Sequence, residues 1–168
     1  MALSESLTAE LVQEGISTRK ILQGISDEHF DWKPHEKSFS FGKLGSHLAE
    51  LPSYCGYIIK DDELDFSKMN YKAPEIHNAE SLLKFFDDTL AKAKENMQNV
   101  SDETFMKSWT LRMGDHVIMT LPKAAALRTM VMNHIIHHRA QLGVYLRLLD
   151  IPVPGVYGPS ADEKVFEG

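Results

Sequence analysis

Hydrophobic residues recur every three or four positions along four long stretches of this chain, with polar residues between them. This spacing places the apolar side chains on one face, so each stretch predicts an amphipathic helix. The first runs from Leu3 to about Ile25, and the third runs from the capping residue Asn78 to about Asn99. The apolar positions of these two stretches include Leu7, Leu11, Leu22, Leu82, Leu83, Phe86, Leu90 and Met97.

The second stretch predicts a helix from Ser38 or Ser40, either of which can cap it, to about Lys60. Pro52 lies inside this stretch and should kink the helix, because proline lacks the amide that the helical hydrogen bond needs. The inward face consists of Leu44, His47, Leu48, Leu51, Tyr54 and Ile58.

The last stretch predicts the longest helix, from Pro122 to about Asp150, which would measure roughly 40 Å. Its inward stripe is predicted to contain Leu127, Met130, His134, His138, Gln141, Tyr145 and Leu148. Before it, two short apolar runs at 109–111 and 117–119 flank a turn that contains Gly114, which predicts a β-hairpin. The polar segment 61–77 predicts a loop.

These elements predict an all-α protein, a four-helix bundle with a small β-hairpin before the last long helix. A length of 168 residues fits a single domain over 1–168. The segment 151–168 is rich in proline and glycine and is expected to lie over the bundle surface.

Composition narrows the class of partner. The net charge is −6 and the basic residues are scattered, which argues against nucleic acid and against an anionic membrane surface. No apolar run approaches the roughly 20 residues that span a bilayer. Cys55 is the only cysteine, and the first ten residues lack the pattern of a signal peptide. We therefore expect a cytoplasmic protein whose partner is a small molecule or another protein.

The candidate chemistry lies in the last predicted helix. His138 follows His134 by one turn and lies about 40° around the helix axis, so both imidazoles can grip one metal ion. His47 is on the apolar face of the second helix and could supply a third ligand. Imidazole nitrogen suits Zn, Ni, Fe and Cu. Spacing alone leaves the alternative open that these are hydrogen-bonded core histidines, since the chain contains eight histidines.

Several motifs together resemble the DinB/YfiT family, and the resemblance covers essentially the whole chain. They are Trp32-Lys33-Pro34, the run from Gly42 to Glu50, the hairpin followed by Leu121-Pro122-Lys123, the run from His134 to Leu142, and the ending from Pro152 to Glu163. The resemblance implies a four-helix bundle with one divalent metal ion, usually nickel or zinc. Carried over by position, the metal ligands are His47, His134 and His138.

The family resemblance also implies function and assembly. Related members include transferases and isomerases that use low-molecular-weight thiols such as bacillithiol or mycothiol, and many members are dimers. The resemblance thus favours a metal-dependent enzyme of the thiol S-transferase or hydrolase type with a small-molecule substrate. It also implies a homodimer. The alternative is a stress-associated bundle whose metal is structural or sensory and which catalyses nothing.

Further residues have predicted roles around the histidines. Glu50 could orient an imidazole or remain a surface charge, and Gln141 could hydrogen-bond a substrate. Tyr145 shares the ligand face with Gln141 and could also hydrogen-bond a substrate, but it is expected mainly to pack in the core, like Cys55. His137 should point away from the metal. His29, His35, His77 and His116 should be exposed, and Arg139 should be a surface or interface charge.

Overall fold

Four helical columns form the body of the protein in a computed structural model that describes residues 2–163. The first and third columns are single helices, Leu3–Leu22 and Ala79–Met97. The second column spans residues 41–60 and the fourth spans residues 123–148, and each of these two is interrupted once. The elements are α1 (Leu3–Leu22), α2 (Phe41–Glu50), α3 (Tyr54–Lys60), β1 (Glu63–Asp65), α4 (Ala79–Met97), α5 (Asp102–Met106), β2 (Ser108–Met113), β3 (His116–Pro122), α6 (Lys123–Leu127) and α7 (Asn133–Leu148). α1 and α2 each pack against both α4 and α7, which confirms the predicted mainly helical bundle.

Local sequence signals explain how the second and third columns begin and where the second is interrupted. The Ser40 hydroxyl accepts a hydrogen bond from the backbone amide of Lys43, and the Asn78 side chain accepts one from the amide of Ser81. Both therefore cap helices as predicted. At Pro52 the helical column tightens into a 3₁₀ turn over Leu51–Ser53 before α3 resumes.

The fourth column contains a π-helical turn, Arg128–Met132, between α6 and α7. A π turn holds one residue more than an α turn, so it rotates the downstream face by about 100°. The predicted unbroken stripe is therefore wrong at its end: Leu148 is 58% exposed, and Gln141 is also exposed. The core face of α7 is formed instead by Ile135, Arg139, Leu142, Tyr145 and Leu146.

A three-stranded sheet with the order β1-β2-β3 lies beside the bundle. The predicted hairpin is present as β2 and β3, and its turn contains Gly114 at φ 58°, a conformation that favours glycine. The prediction of a loop over 61–77 is wrong at its start, because β1 pairs with β2 in parallel. The Asp65 carboxylate accepts a hydrogen bond from the backbone amide of Gly114, which connects β1 to the turn between β2 and β3.

The core includes one polar cluster that the sequence did not predict. Arg139 is only 3% exposed, so its assignment as a surface charge is wrong. Its guanidinium forms an ion pair with Glu14 at 2.7 Å and donates to the hydroxyls of Thr18 and Tyr157. Tyr157 in turn donates to Glu14, which fastens the C-terminal segment to α1 and α7. Within residues 2–163, no helix is both long and apolar enough to cross a membrane.

Candidate metal centre

Three imidazoles converge between the second and fourth columns. α2 presents His47, and consecutive turns of α7 present His134 and His138. Their ring centroids lie 4.6–5.1 Å apart, and one ligand nitrogen from each lies within 4.8 Å of the others. Within the described residues 2–163, no fourth His, Cys, Asp or Glu joins this cluster.

The spacing of one nitrogen pair matches the spacing expected around a metal ion. Two imidazole nitrogens on a tetrahedral zinc at about 2.05 Å would lie about 3.35 Å apart. The Nε2 atoms of His47 and His134 are separated by 3.4 Å. A hydrogen bond between these two rings would be long at this distance and would leave the approach of His138 unexplained. The three-histidine donor set therefore fits a metal ion that accepts imidazole ligands, such as zinc, nickel, iron or copper.

The surroundings keep these imidazoles neutral at pH 7, the form that binds metal. Burial lowers the pKa of His47 to about 4, and the other two histidines add to the effect. Burial is also the main cause of the lowered pKa of His134 and His138. Metal binding at neutral pH thus requires no proton to be displaced.

Gln141 orients one of the imidazoles. The Nδ1 of His138 lies 2.7 Å from Oε1 of Gln141, and donation of the Nδ1 proton to this oxygen leaves Nε2 free to bind a metal. Because an amide oxygen can only accept, the contact selects this tautomer. Gln141 thus forms a hydrogen bond with His138 in the structure, whereas the sequence suggested that it could bind a substrate.

Glu50 and Tyr145 contact residues other than the histidines. The Glu50 carboxylate accepts a hydrogen bond from the Tyr71 hydroxyl at 2.9 Å, and burial raises its pKa. Tyr145 is buried, as predicted, and its hydroxyl donates to the backbone carbonyl of Phe39 at 3.2 Å. Tyr145 therefore holds Phe39, whose ring packs edge-on against His47 with centroids 6.2 Å apart.

A cavity of about 550 Å³ opens beside His47. Lys43, His47 and Glu50 lie on one face of α2 and form one wall. A Cβ at Gly42 would overlap the ring of Phe30, so glycine allows the preceding segment to pack closely here. The remaining lining residues are Phe30, Asp31, Phe39, Ser40, Ser46, Tyr71, Ala73, Pro74 and Ile76.

The other candidate side chains lie outside the cluster. His137 is exposed, and its ring centroid is 4.9 Å from that of His138. Cys55 is fully buried and its pKa is raised to about 12, which makes it unreactive. His35, His77 and His116 are exposed as expected, whereas His29 is half-buried and contacts the Ser26 hydroxyl at 3.0 Å.

The sequence did not predict that Phe39, Lys43 and Tyr71 line the cavity. Lys43 could have been found, because it precedes His47 by one turn and shares its face. Tyr71 could not, because it lies in the irregular segment after β1 and nothing local pairs it with Glu50.

Comparison with known proteins identifies relatives over nearly the whole chain. The model of the DinB family matches residues 2–165. The uncharacterized protein YrdA of Bacillus subtilis is 24% identical over 159 residues, covering 89% of this chain and 85% of that protein.

Crystal structures share the fold. A DinB-like protein from Bacillus subtilis superposes with a TM-score of 0.70 at 18% identity, covering 90% of this chain and 96% of its own. A DinB-like protein from Bacillus cereus gives a TM-score of 0.69 at 21% identity, with coverages of 91% and 97%.

Proposed function

Because this chain belongs to the DinB family, we propose that it is a metal-dependent enzyme that holds one nickel or zinc ion through His47, His134 and His138. The reaction we propose is thiol S-transfer or hydrolysis on a small molecule. The observation that carries the proposal is the convergence of three neutral imidazoles, without a fourth protein ligand in residues 2–163, beside a cavity. Three-ligand sites with an open position are typical of catalytic metals, whereas structural zinc is usually closed by four ligands.

In this proposal the metal and two neighbouring side chains have distinct roles. A metal held there would lower the pKa of a coordinated thiol or water and so supply a nucleophile at neutral pH. Gln141 fixes the tautomer of His138, and Tyr145 positions Phe39 against His47. The cavity along α2 provides room for a substrate next to His47.

Metal analysis tests this proposal directly. Protein purified without a histidine tag should contain up to one equivalent of zinc or nickel, and chelator-treated protein should regain it on reloading. A small thiol should then bind to the loaded protein. Protein that none of these ions can load would refute the metal site. A loaded protein that accepts no exogenous ligand would favour the structural or sensory alternative.

We also propose a homodimer, as the family resemblance implies. An apolar stripe on the outer side of α7 supports it: Ile136, Ala140, Val144 and Leu148 follow one another at four-residue intervals. Val144 and Leu148 are each 58% exposed. Such a stripe is typical of a helix that packs against a partner.

A further inference from the structure

Glu50 carries a negative charge that no cationic side chain neutralises within the described part of the chain. The Tyr71 hydroxyl that donates a hydrogen bond to Glu50 is uncharged, and none of the ion pairs in residues 2–163 includes Glu50. The carboxylate has about four acceptor positions. Since a half-buried charge without a counter-charge costs stability, its presence on a cavity wall points to a ligand.

The charge balance of the cavity favours a cation at Glu50. The charged side chains that line it are Asp31, Lys43 and Glu50, so two carboxylates face one ammonium. The ammonium of Lys43 lies 4.8 Å from the ring centroid of Phe39, and Lys43 precedes Glu50 by about 10 Å along the helix axis. No ion pair joins Lys43 to Glu50 among the described residues, and the ammonium of Lys43 lies over the Phe39 ring instead.

From this arrangement we propose that the cavity selects a small molecule with a protonated amine, which pairs with Glu50 while another group of the same molecule reaches the histidine cluster. Glu50 follows His47 by three residues, about 4.5 Å along the axis, so a compact molecule can reach both. A metal ion would repel an amine at close range, so the amine belongs at the Glu50 end of the cavity, one turn away. Tyr71 holds the carboxylate in place. This inference rests on the proposed metal site.

The test compares three thiols of similar size and different charge on zinc-loaded full-length protein by calorimetry at pH 7. Cysteamine carries an amine, 2-mercaptoethanol is neutral and 3-mercaptopropionate carries a carboxylate. The deciding quantity is the ratio of the cysteamine affinity to the 2-mercaptoethanol affinity, compared between wild type and Glu50→Gln. This comparison cancels the intrinsic difference between the thiols.

We expect Glu50→Gln to reduce the ratio by about threefold to tenfold, between the values for an exposed ion pair and a buried charged hydrogen bond. 3-Mercaptopropionate should gain no affinity from Glu50. The control Glu95→Gln changes an exposed glutamate on α4 outside the cavity and should leave the ratio unchanged. Tyr71→Phe keeps the carboxylate and should retain the amine preference.

Two results would overturn the inference, and they are distinguishable. If the ratio is the same in wild type and Glu50→Gln while all three thiols bind, the amine preference is wrong and the metal site stands. If none of the thiols binds the zinc-loaded protein, the open coordination position is absent, and the proposed enzymatic function fails together with this inference.

Discussion

Replacing His138 by alanine tests whether His138, and not its neighbour His137, is a metal ligand. His138 belongs to the histidine cluster, whereas the adjacent His137 is exposed and lies outside it. The substitution His138→Ala removes one of the three proposed metal ligands and also leaves Gln141 without its imidazole partner. His137→Ala removes only an exposed ring, so it serves as the matched control.

The size of the expected effect follows from the number of ligands. Structural zinc sites gain roughly 10–16 kcal/mol from four ligands, or about 3 kcal/mol for each. At about 1.4 kcal/mol per factor of ten, losing His138 should weaken metal binding by about a hundredfold or more. Gln141→Leu removes the hydrogen bond that orients His138 and should cost about tenfold to a hundredfold. His137→Ala should cost less than about tenfold, because no hydrogen bond joins it to the other imidazoles in the described residues.

A chelator competition measures these differences. Zinc-loaded variants are titrated with a chromogenic chelator of known affinity at pH 7, and circular dichroism checks that each variant is folded. The expected order of affinity is wild type, His137→Ala, Gln141→Leu and His138→Ala. If His137→Ala loses more affinity than His138→Ala, the ligand assignment is wrong and His134 pairs with His137 instead.

Three further predictions concern stability and assembly. First, metal-free protein should lose stability from pH 7 to pH 5: the pKa of His47 is about 4 in the fold but near 6.5 in the unfolded chain, which therefore takes up the proton first. In urea unfolding His47→Gln should lose less, and equal losses would contradict this cause. Second, Arg139→Met should destabilise the fold by about 3–5 kcal/mol in urea unfolding, because it leaves Glu14 without its buried counter-charge. A loss below about 1 kcal/mol would show that the ion pair is not important. Third, light scattering should give about twice the chain mass of 19.0 kDa, and Val144→Glu should shift it towards one chain. A wild-type monomer at micromolar concentration would refute the dimer.

Much of the architecture could be predicted because it depends on local patterns. The amphipathic stripes indicated the helical columns, and the polar side chains of Ser40 and Asn78 indicated two helix starts. Pro52 marked an interruption because proline cannot donate the helical hydrogen bond. The four-residue spacing of His134 and His138 placed both imidazoles on one side of α7, as the structure has them.

Other features required the tertiary structure because they join segments that are distant in the sequence. The parallel pairing of β1 with β2 spans residues 63–112, and no local pattern encodes it. Arg139 is buried because α1 supplies Glu14 and the C-terminal segment supplies Tyr157. A single charged residue on a helix gives no sign of partners so far away along the chain, and without them burial would be too costly.

The sequence by itself determined the helical class, the family resemblance and the identity of the candidate ligands, since periodicity and side-chain chemistry are properties of short segments. Only the tertiary structure decided how these residues are placed relative to one another. The π turn at Arg128–Met132 sets the rotation of α7, and the packing of α2 against α7 brings His47 within 3.4 Å of His134. The loop after β1 brings Tyr71 to Glu50. These contacts depend on the relative positions of whole elements, which packing of the entire core determines.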